Sequence, residues 1–245
     1  MVWSYSRLKA FETCPYGWYL KYIDGADSEP KFYSSYGSFV HRILADFYNG
    51  KIPQERLSEE FITKFSDEVQ GVRPSGDIVS GYVRKGIAYF ENFKPFPLHT
   101  LLVEDDKTFD YFGVSFRGII DYVGIDEESG EIYLIDHKSR DLKPRSNRKT
   151  PTQNDRDIDD MLRQLYVYSE RIRQEFGTFP AYLCFNCFKN GEFIKEPFRE
   201  EVFRDTVRWV KDLIREIQDE KSFPPNDEYF KCTFLCDCVA ECDYF

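Results

Sequence analysis

The sequence predicts an α/β domain in which helices flank a short mixed sheet. Three observations point there. The apolar runs Ile119-Ile120-Asp121-Tyr122-Val123 and Leu134-Ile135-Asp136-His137-Lys138 are strand-like, and the turn residues Asp126-Glu127-Glu128-Ser129-Gly130 let them pair as a hairpin. Helical periodicity follows the hairpin from about Asp157 to Phe176 and again from about Phe198 to Lys221. With 245 residues and 42% hydrophobic content, the chain can bury a sizeable core as one domain over 1–245.

Taken in order, an opening helix is expected from roughly Ser4 to Ile23. A glycine-containing loop leads to a helix around Ser38–Tyr48, and two helical patterns follow near Leu57–Gln70 and Ile78–Phe93. The strand with Glu104 and the acid-bearing hairpin occupy about Leu101–Lys138. Pro144, Ser146, Asn147, Thr150 and Pro151 then mark a loop. After the next helix, Ala181–Phe188 reads as a strand that turns at Lys189-Asn190-Gly191-Glu192. The last helix carries Val202, Val207, Trp209, Val210, Leu213, Ile214 and Ile217, and Pro224-Pro225 ends it. There is no internal repeat, and no apolar run approaches the ~20 residues of a membrane helix.

The hairpin carries the chemistry. Side chains alternate along a strand, so Asp136 and Lys138 emerge on one side, and pairing brings Asp121 close to both. Two carboxylates and an amine at one point suit a divalent cation and a phosphate under attack. A lone D-x-K is common, and by itself it reads as a surface ion pair. Gln164 and Tyr168 lie four apart on one face of the following helix and can point back at the hairpin. His41, one of three histidines, becomes a ligand candidate because two acids are already in place.

Seven cysteines complete the set: Cys14, Cys184, Cys187, Cys232, Cys236, Cys238 and Cys242. The N-terminus lacks a charged stretch followed by an apolar run, so a cytoplasmic setting with reduced thiols is expected and metal binding outranks disulfides. Zinc and iron–sulfur both accept four thiolates. Cys184 and Cys187 sit three apart on a strand, face opposite ways, and read as packing residues.

These residues together resemble the RecB-like branch of the PD-(D/E)XK nucleases that carries an iron–sulfur cluster, a branch with AddB-type helicase–nuclease subunits and CRISPR-associated and phage RecB-like exonucleases. Ser4-Tyr5-Ser6-Arg7-Leu8 through Cys14-Pro15 resembles its opening S-x-S-x-L…C-P segment, and His41 its motif-I histidine. Glu104 resembles an acid on the strand before the hairpin. Gly118-Ile119-Ile120-Asp121 resembles G-x-x-D, Asp136-His137-Lys138 resembles (D/E)-x-K, and Gln164 with Tyr168 resembles Q-x-x-x-Y. The tail resembles C-x-x-C-x-(aromatic)-x-x-x-C with two departures: the first gap is three residues, and Cys238 stands at the aromatic position.

The resemblance implies a restriction-endonuclease-like core with residues 49–100 as a helical insertion, and an iron–sulfur clasp joining the N- and C-termini. It implies a 4Fe-4S cluster on Cys14, Cys232, Cys236 and Cys242, with Cys238 spare and exchange between Cys236 and Cys238 left open. It further implies that His41, Asp121, Asp136 and the backbone carbonyl of His137 hold Mg²⁺ or Mn²⁺. Lys138, Gln164 and Tyr168 would be catalytic. The substrate would be DNA, single-stranded or with frayed ends, degraded exonucleolytically in repair, recombination or processing, with a helicase or recombination protein as an open partner.

The net charge of −10 runs against nucleic-acid binding, which favours a basic face. Locally the balance reverses: Lys138, Arg140, Lys143, Arg145, Arg148 and Lys149 stand against Asp141 alone. A basic loop at the mouth of the site can hold backbone phosphates. Two other classes stay open. One is a nucleic-acid-binding partner subunit with an inactive centre, against which the intact Asp121, Asp136 and Lys138 argue. The other is a zinc-stapled interaction protein.

Overall fold

The computed structural model describes residues 1–226 and 228–245. In chain order these form helices α1 (Tyr5–Thr13), α2 (Pro15–Tyr19), α3 (Phe32–Tyr48), α4 (Leu57–Glu68) and α5 (Gly76–Glu91), then strands β1 (His99–Tyr111), β2 (Val114–Ile125) and β3 (Ile132–Lys138). Helix α6 (Gln153–Phe176), strands β4 (Tyr182–Cys187) and β5 (Glu192–Pro197), helix α7 (Glu200–Asp219) and a short α8 (Tyr229–Phe234) complete the chain. The sheet order is β1-β2-β3-β4-β5, antiparallel except for the parallel β3–β4 pair. A parallel pair needs a crossover, and α6 supplies it. The expected mixed α/β sheet flanked by helices is what forms.

The opening helix is not continuous as expected. Cys14 is extended (φ −158°, ψ 104°) and both ends α1 and caps α2. Pro15 at the first position of α2 explains the break, since a residue before proline is driven from the helical region. The chain then passes through a π-helical turn at Leu20–Asp24 that ends on left-handed Gly25. Helix α3 also begins earlier than its apolar pattern suggested, because Phe32 and Tyr36 bury on the same face as Phe39, Val40, Ile43 and Leu44.

Two apolar clusters position the site between them. One face of the sheet packs against α1, α6 and α7, burying Phe116, Ile120, Leu134 and Phe185 against Ile158, Leu165, Ile172, Val210 and Leu213. The second gathers α3, α4 and α5 through Tyr36, Phe39, Phe61, Phe65 and Phe90, and reaches the sheet at Phe188. Strand β3, flanked by β2 and β4, is buried on both faces, as a strand next to a parallel crossover should be. Cys184 and Cys187 fall in different clusters on opposite faces. Helix α6 starts at a capping box, Thr152 with Asp155, and stops at left-handed Gly177. No helix among the described residues is long and apolar enough to cross a membrane.

Candidate active site

Strand pairing builds the centre. Tyr122 lies opposite Ile135, so the next position outward sets Asp121 against Asp136. The His137 backbone N–H donates to Asp121 Oδ2 at 2.7 Å and fixes that carboxylate. On the other edge of β2, Val103 pairs with Tyr122 and Asp105 with Ile120, which places Glu104 opposite Asp121. Glu104 has φ +44°. A side chain in the left-handed region is costly, and such strain persists where the surroundings over-determine it.

Helix α3 brings His41 over the three acids' edge. Its Nδ1 is 3.4 Å from Glu104 Oε1 and 3.4 Å from Asp121 Oδ1, and its Nε2–H donates to the His137 carbonyl at 2.9 Å. From α6, Gln164 Oε1 accepts from Lys138 Nζ at 2.9 Å, and Gln164 Nε2 reaches the Tyr168 hydroxyl at 3.5 Å. Lys138 Nζ also stands 2.7 Å from Asp136 Oδ2. Gly118 explains how α6 comes so near: a Cβ there would lie 2.6 Å from Tyr168 Cε1. Beneath the site, Asn186 Nδ2 donates to His137 Nδ1 at 2.9 Å and to Tyr89 at 2.7 Å, locking the strand that carries Asp136 and Lys138.

The electrostatics separate the two aspartates. Burial alone would raise both. For Asp121 the charge and hydrogen bond of His41, joined by the His137 backbone N–H, overcome burial and hold the carboxyl below its usual range. For Asp136 burial prevails over Lys138, and the neighbouring Asp121 charge adds to it, so its carboxyl is pushed up. Burial disfavours a charged His41, yet Asp121 and Glu104 raise it to about 10. Burial lowers His137 to about 3, leaving a neutral ring.

The donor set suits a hard divalent cation. His41, Glu104 and Asp121 each offer a ligand atom, all within 4.8 Å of one another. Glu104 Oε1 is buried and finds no hydrogen-bond partner among the described residues. Carboxylate oxygens with one imidazole match Mg²⁺ or Mn²⁺ better than a thiophilic metal. His41, Asp121, Asp136, Lys138, Gln164 and Tyr168 all line one cavity of ≈ 650 Å³ together with Glu104. Ser4, Ser6, Arg117 and Ile119 line it too, and sequence reasoning missed them. The signal for Arg117 was present in the alternation Ser115-Phe116-Arg117, whereas Ile119, followed by Ile120, breaks that alternation.

The basic loop divides. Arg140, Lys143, Arg148 and Lys149 are exposed. Arg145 is not available in the same way: it pairs with Asp159 at 2.6 Å and Glu196 at 2.8 Å and donates to the Asp155 carbonyl at 3.4 Å. Asp155 in turn accepts from Ser146 and Thr152, so Arg145 and Asp155 pin the two ends of the loop.

At the far end of α1, Cys14, Cys232, Cys236 and Cys242 line a second cavity, of ≈ 400 Å³, which Cys238 does not line. A Cβ on Gly17 would stand 3.6 Å from Cys14 Sγ and 3.9 Å from Cys236 Sγ. Cys14 Sγ accepts from the backbone N–H of Gly17 and of Asn226, each at 3.3 Å. Cys238 is buried beside Asp237. Burial raises the Cys236 thiol, and the nearby Cys14 and Cys242 add to it.

No curated protein sequence matches this chain. Among solved structures, a protein from Eubacterium rectale assigned as a candidate exonuclease is similar over 98% of this chain and 87% of its own, with a TM-score of 0.56 at 14% identity, which is a likeness of fold. A second, SSO0001, aligns over 97% of this chain and 94% of its own at 15% identity, with a TM-score of 0.33. The family model described as the PD-(D/E)XK nuclease superfamily matches residues 2–244. Matched by that model almost from end to end, and with Asp121, Asp136 and Lys138 meeting at one point of a mixed sheet, the chain belongs to the PD-(D/E)XK nuclease superfamily.

Proposed function

We propose that the chain is a Mg²⁺- or Mn²⁺-dependent deoxyribonuclease of the RecB-like branch, trimming DNA from single-stranded or frayed ends, with a structural 4Fe-4S cluster. The observation that carries the nuclease reading is the convergence of His41, Glu104, Asp121, Asp136, Lys138, Gln164 and Tyr168 in one cavity. Asp121, Asp136, His41 and the His137 carbonyl would hold the ion, with Glu104 added by its buried Oε1, which faces His41 without a hydrogen bond. A bound divalent ion supplies positive charge to the phosphodiester and acidifies a water for attack.

The chain's own groups do the rest. Lys138, steadied by Asp136 and Gln164, places an ammonium where charge gathers on the phosphate. Gln164 and Tyr168 hold Lys138 to that position from α6. The neutral His137 ring, bonded to Asn186, keeps its own backbone N–H on Asp121. Arg140, Lys143, Arg148 and Lys149 are the loop residues free to meet DNA phosphates, while Arg145 shapes the loop.

The cluster is assigned to Cys14, Cys232, Cys236 and Cys242, which share a cavity that excludes Cys238. The two N–H donors on Cys14 Sγ fit a thiolate ligand. Its function would be to clasp the first helices to the tail, and it suits a cytoplasmic, reducing setting. Residues 1–245 then make one unit, with 49–100 as a helical insertion resting on α3, in a protein of DNA repair or recombination that could serve a helicase partner.

The test is digestion of 5′- and 3′-labelled single- and double-stranded DNA with Mg²⁺, Mn²⁺ or EDTA, alongside iron and zinc analysis of the purified protein. Metal-dependent release of end nucleotides and iron near four per chain are expected. No cleavage with either ion would overturn the enzyme, and zinc in place of iron would overturn the cluster.

A further inference from the structure

The geometry points to a substrate track on β2: one DNA strand leaves the metal-binding acids along the strand face that carries Ile119 and Arg117, with Ile119 packing against a nucleobase and Arg117 binding the phosphate beyond it. This inference rests on the nuclease reading.

Along β2, Phe116, Gly118 and Ile120 are buried, whereas Arg117 and Ile119 are exposed and share the face of Asp121. All three line the active-site cavity. Ile119 is 45% exposed beside an Ile120 that is 1% exposed. At a rise of ~3.3 Å per residue, Ile119 stands about 7 Å and Arg117 about 13 Å from Asp121, an ordered run leading out of the centre. The β2–β3 ladder stops at Tyr122, so on that edge β2 has no β3 neighbour beyond the acids, and the exposure of Arg117 and Ile119 shows their face open. The N-terminal segment bounds it instead: Trp3 exchanges backbone hydrogen bonds with Ser115 and Arg117, which sets Ser4 and Ser6 in the cavity wall.

The charge pattern singles out Arg117. Arg42, also at this cavity, is held by Asp46, Glu60 and Glu68. Among the described residues the side chain of Arg117 pairs with Asp106 alone, on the neighbouring strand, gripped by Nε at 2.8 Å and by Nη2. Both side chains are exposed, 59% and 39%, so the pair is weak. A phosphate offers the same two-oxygen acceptor to the guanidinium and can take the place of Asp106. Asp106 then opposes substrate: it occupies the fork when DNA is absent and repels the phosphate that displaces it.

The experiment compares Arg117→Ala, Asp106→Asn and Ile119→Ala with the wild-type chain. Substrates are a labelled single-stranded oligonucleotide, the same strand with an abasic nucleotide near its end, and methyl p-nitrophenyl phosphate, a diester with neither a nucleobase nor a second phosphate. On the oligonucleotide, Arg117→Ala raises KM and flattens the dependence of log affinity on log salt by about 0.7. Asp106→Asn lowers KM. Ile119→Ala raises KM by about fourfold, one buried methylene's worth, and the effect vanishes at the abasic nucleotide. All three variants cleave the short diester as the wild type does. If the pair only braces the hairpin, Arg117→Ala and Asp106→Asn shift in the same direction, and the track is wrong. Unchanged KM in Arg117→Ala, or an Ile119→Ala effect that survives at the abasic nucleotide, would also overturn it. A wild-type chain that cleaves none of the substrates overturns the nuclease reading instead.

Discussion

Replacing Gly118 by alanine tests the link between the G-x-x-D segment and the Gln164–Tyr168 face. The new Cβ would stand 2.6 Å from Tyr168 Cε1, 3.0 Å from Cδ1 and 3.3 Å from Cζ. Contacts this short force the ring to move, and Tyr168 is only 7% exposed, with little space to move into. Overpacking of this kind costs about 1–3 kcal/mol. For a chain of this size that lowers the melting temperature by roughly 2–12 °C. The displaced ring also loses its place against Gln164, which holds Lys138, so kcat should fall more than KM changes. The assay is thermal unfolding of Gly118→Ala, Tyr168→Leu and the double variant, with cleavage rates for each. The smaller side chain in the double variant should recover part of the loss, a coupling of about 1 kcal/mol. A Gly118→Ala melting temperature within about 1 °C of wild type, or strictly additive effects, would refute the packing argument.

Asp121→Ala, Asp136→Ala and Lys138→Ala should each slow cleavage by at least about 10²-fold while DNA affinity, measured by fluorescence anisotropy, stays within a few-fold; wild-type rates in Asp136→Ala would remove the active-site assignment. Neutralising Arg148 and Lys149 should reduce the salt slope of DNA binding by about 0.7 per lost phosphate contact. Arg145→Ala should mainly lower the melting temperature, because it strands a Glu196 side chain that is 12% exposed; a large change in salt slope from Arg145→Ala alone would reverse that division. Iron per chain should drop in Cys14→Ser and Cys242→Ser but hold in Cys238→Ser, Cys184→Ser and Cys187→Ser, and the clasp fails if Cys14→Ser keeps its iron while Cys238→Ser loses it. In EDTA, His41 takes up its proton more tightly folded than unfolded, so its stabilisation is complete below about pH 6.5 and lost as pH rises through about 10. A His41→Gln variant whose melting temperature keeps the wild-type alkaline decline would disprove this.

The sequence by itself determined the parts governed by local rules. The apolar runs Ile119–Val123 and Leu134–Lys138, with a glycine turn between them, were enough for the β2–β3 hairpin, because strand period and turn chemistry act over a few residues. The same rule put Asp136 and Lys138 on one side, and the helical repeat put Gln164 and Tyr168 on one face. The break at Cys14-Pro15 was equally local and could have been read, since proline restricts the residue before it.

Tertiary structure alone decided the rest, because it depends on contacts distant in sequence. That Glu104 stands against Asp121 follows from the register of β1 on β2, and register is set by the whole buried face. That Arg145 belongs to the scaffold follows from Asp159 and Glu196 arriving beside it from α6 and β5. Charge counts along a loop cannot show which cations already have partners. That Cys238, though beside Cys236, does not line the cavity shared by the other four follows from the tail folding back onto α2. The opposite displacements of the Asp121 and Asp136 carboxyls need burial of both, His41 beside Asp121, and the Asp121 charge beside Asp136, in place together. Titration answers to the field of surrounding charges, and that field exists only once the chain has folded.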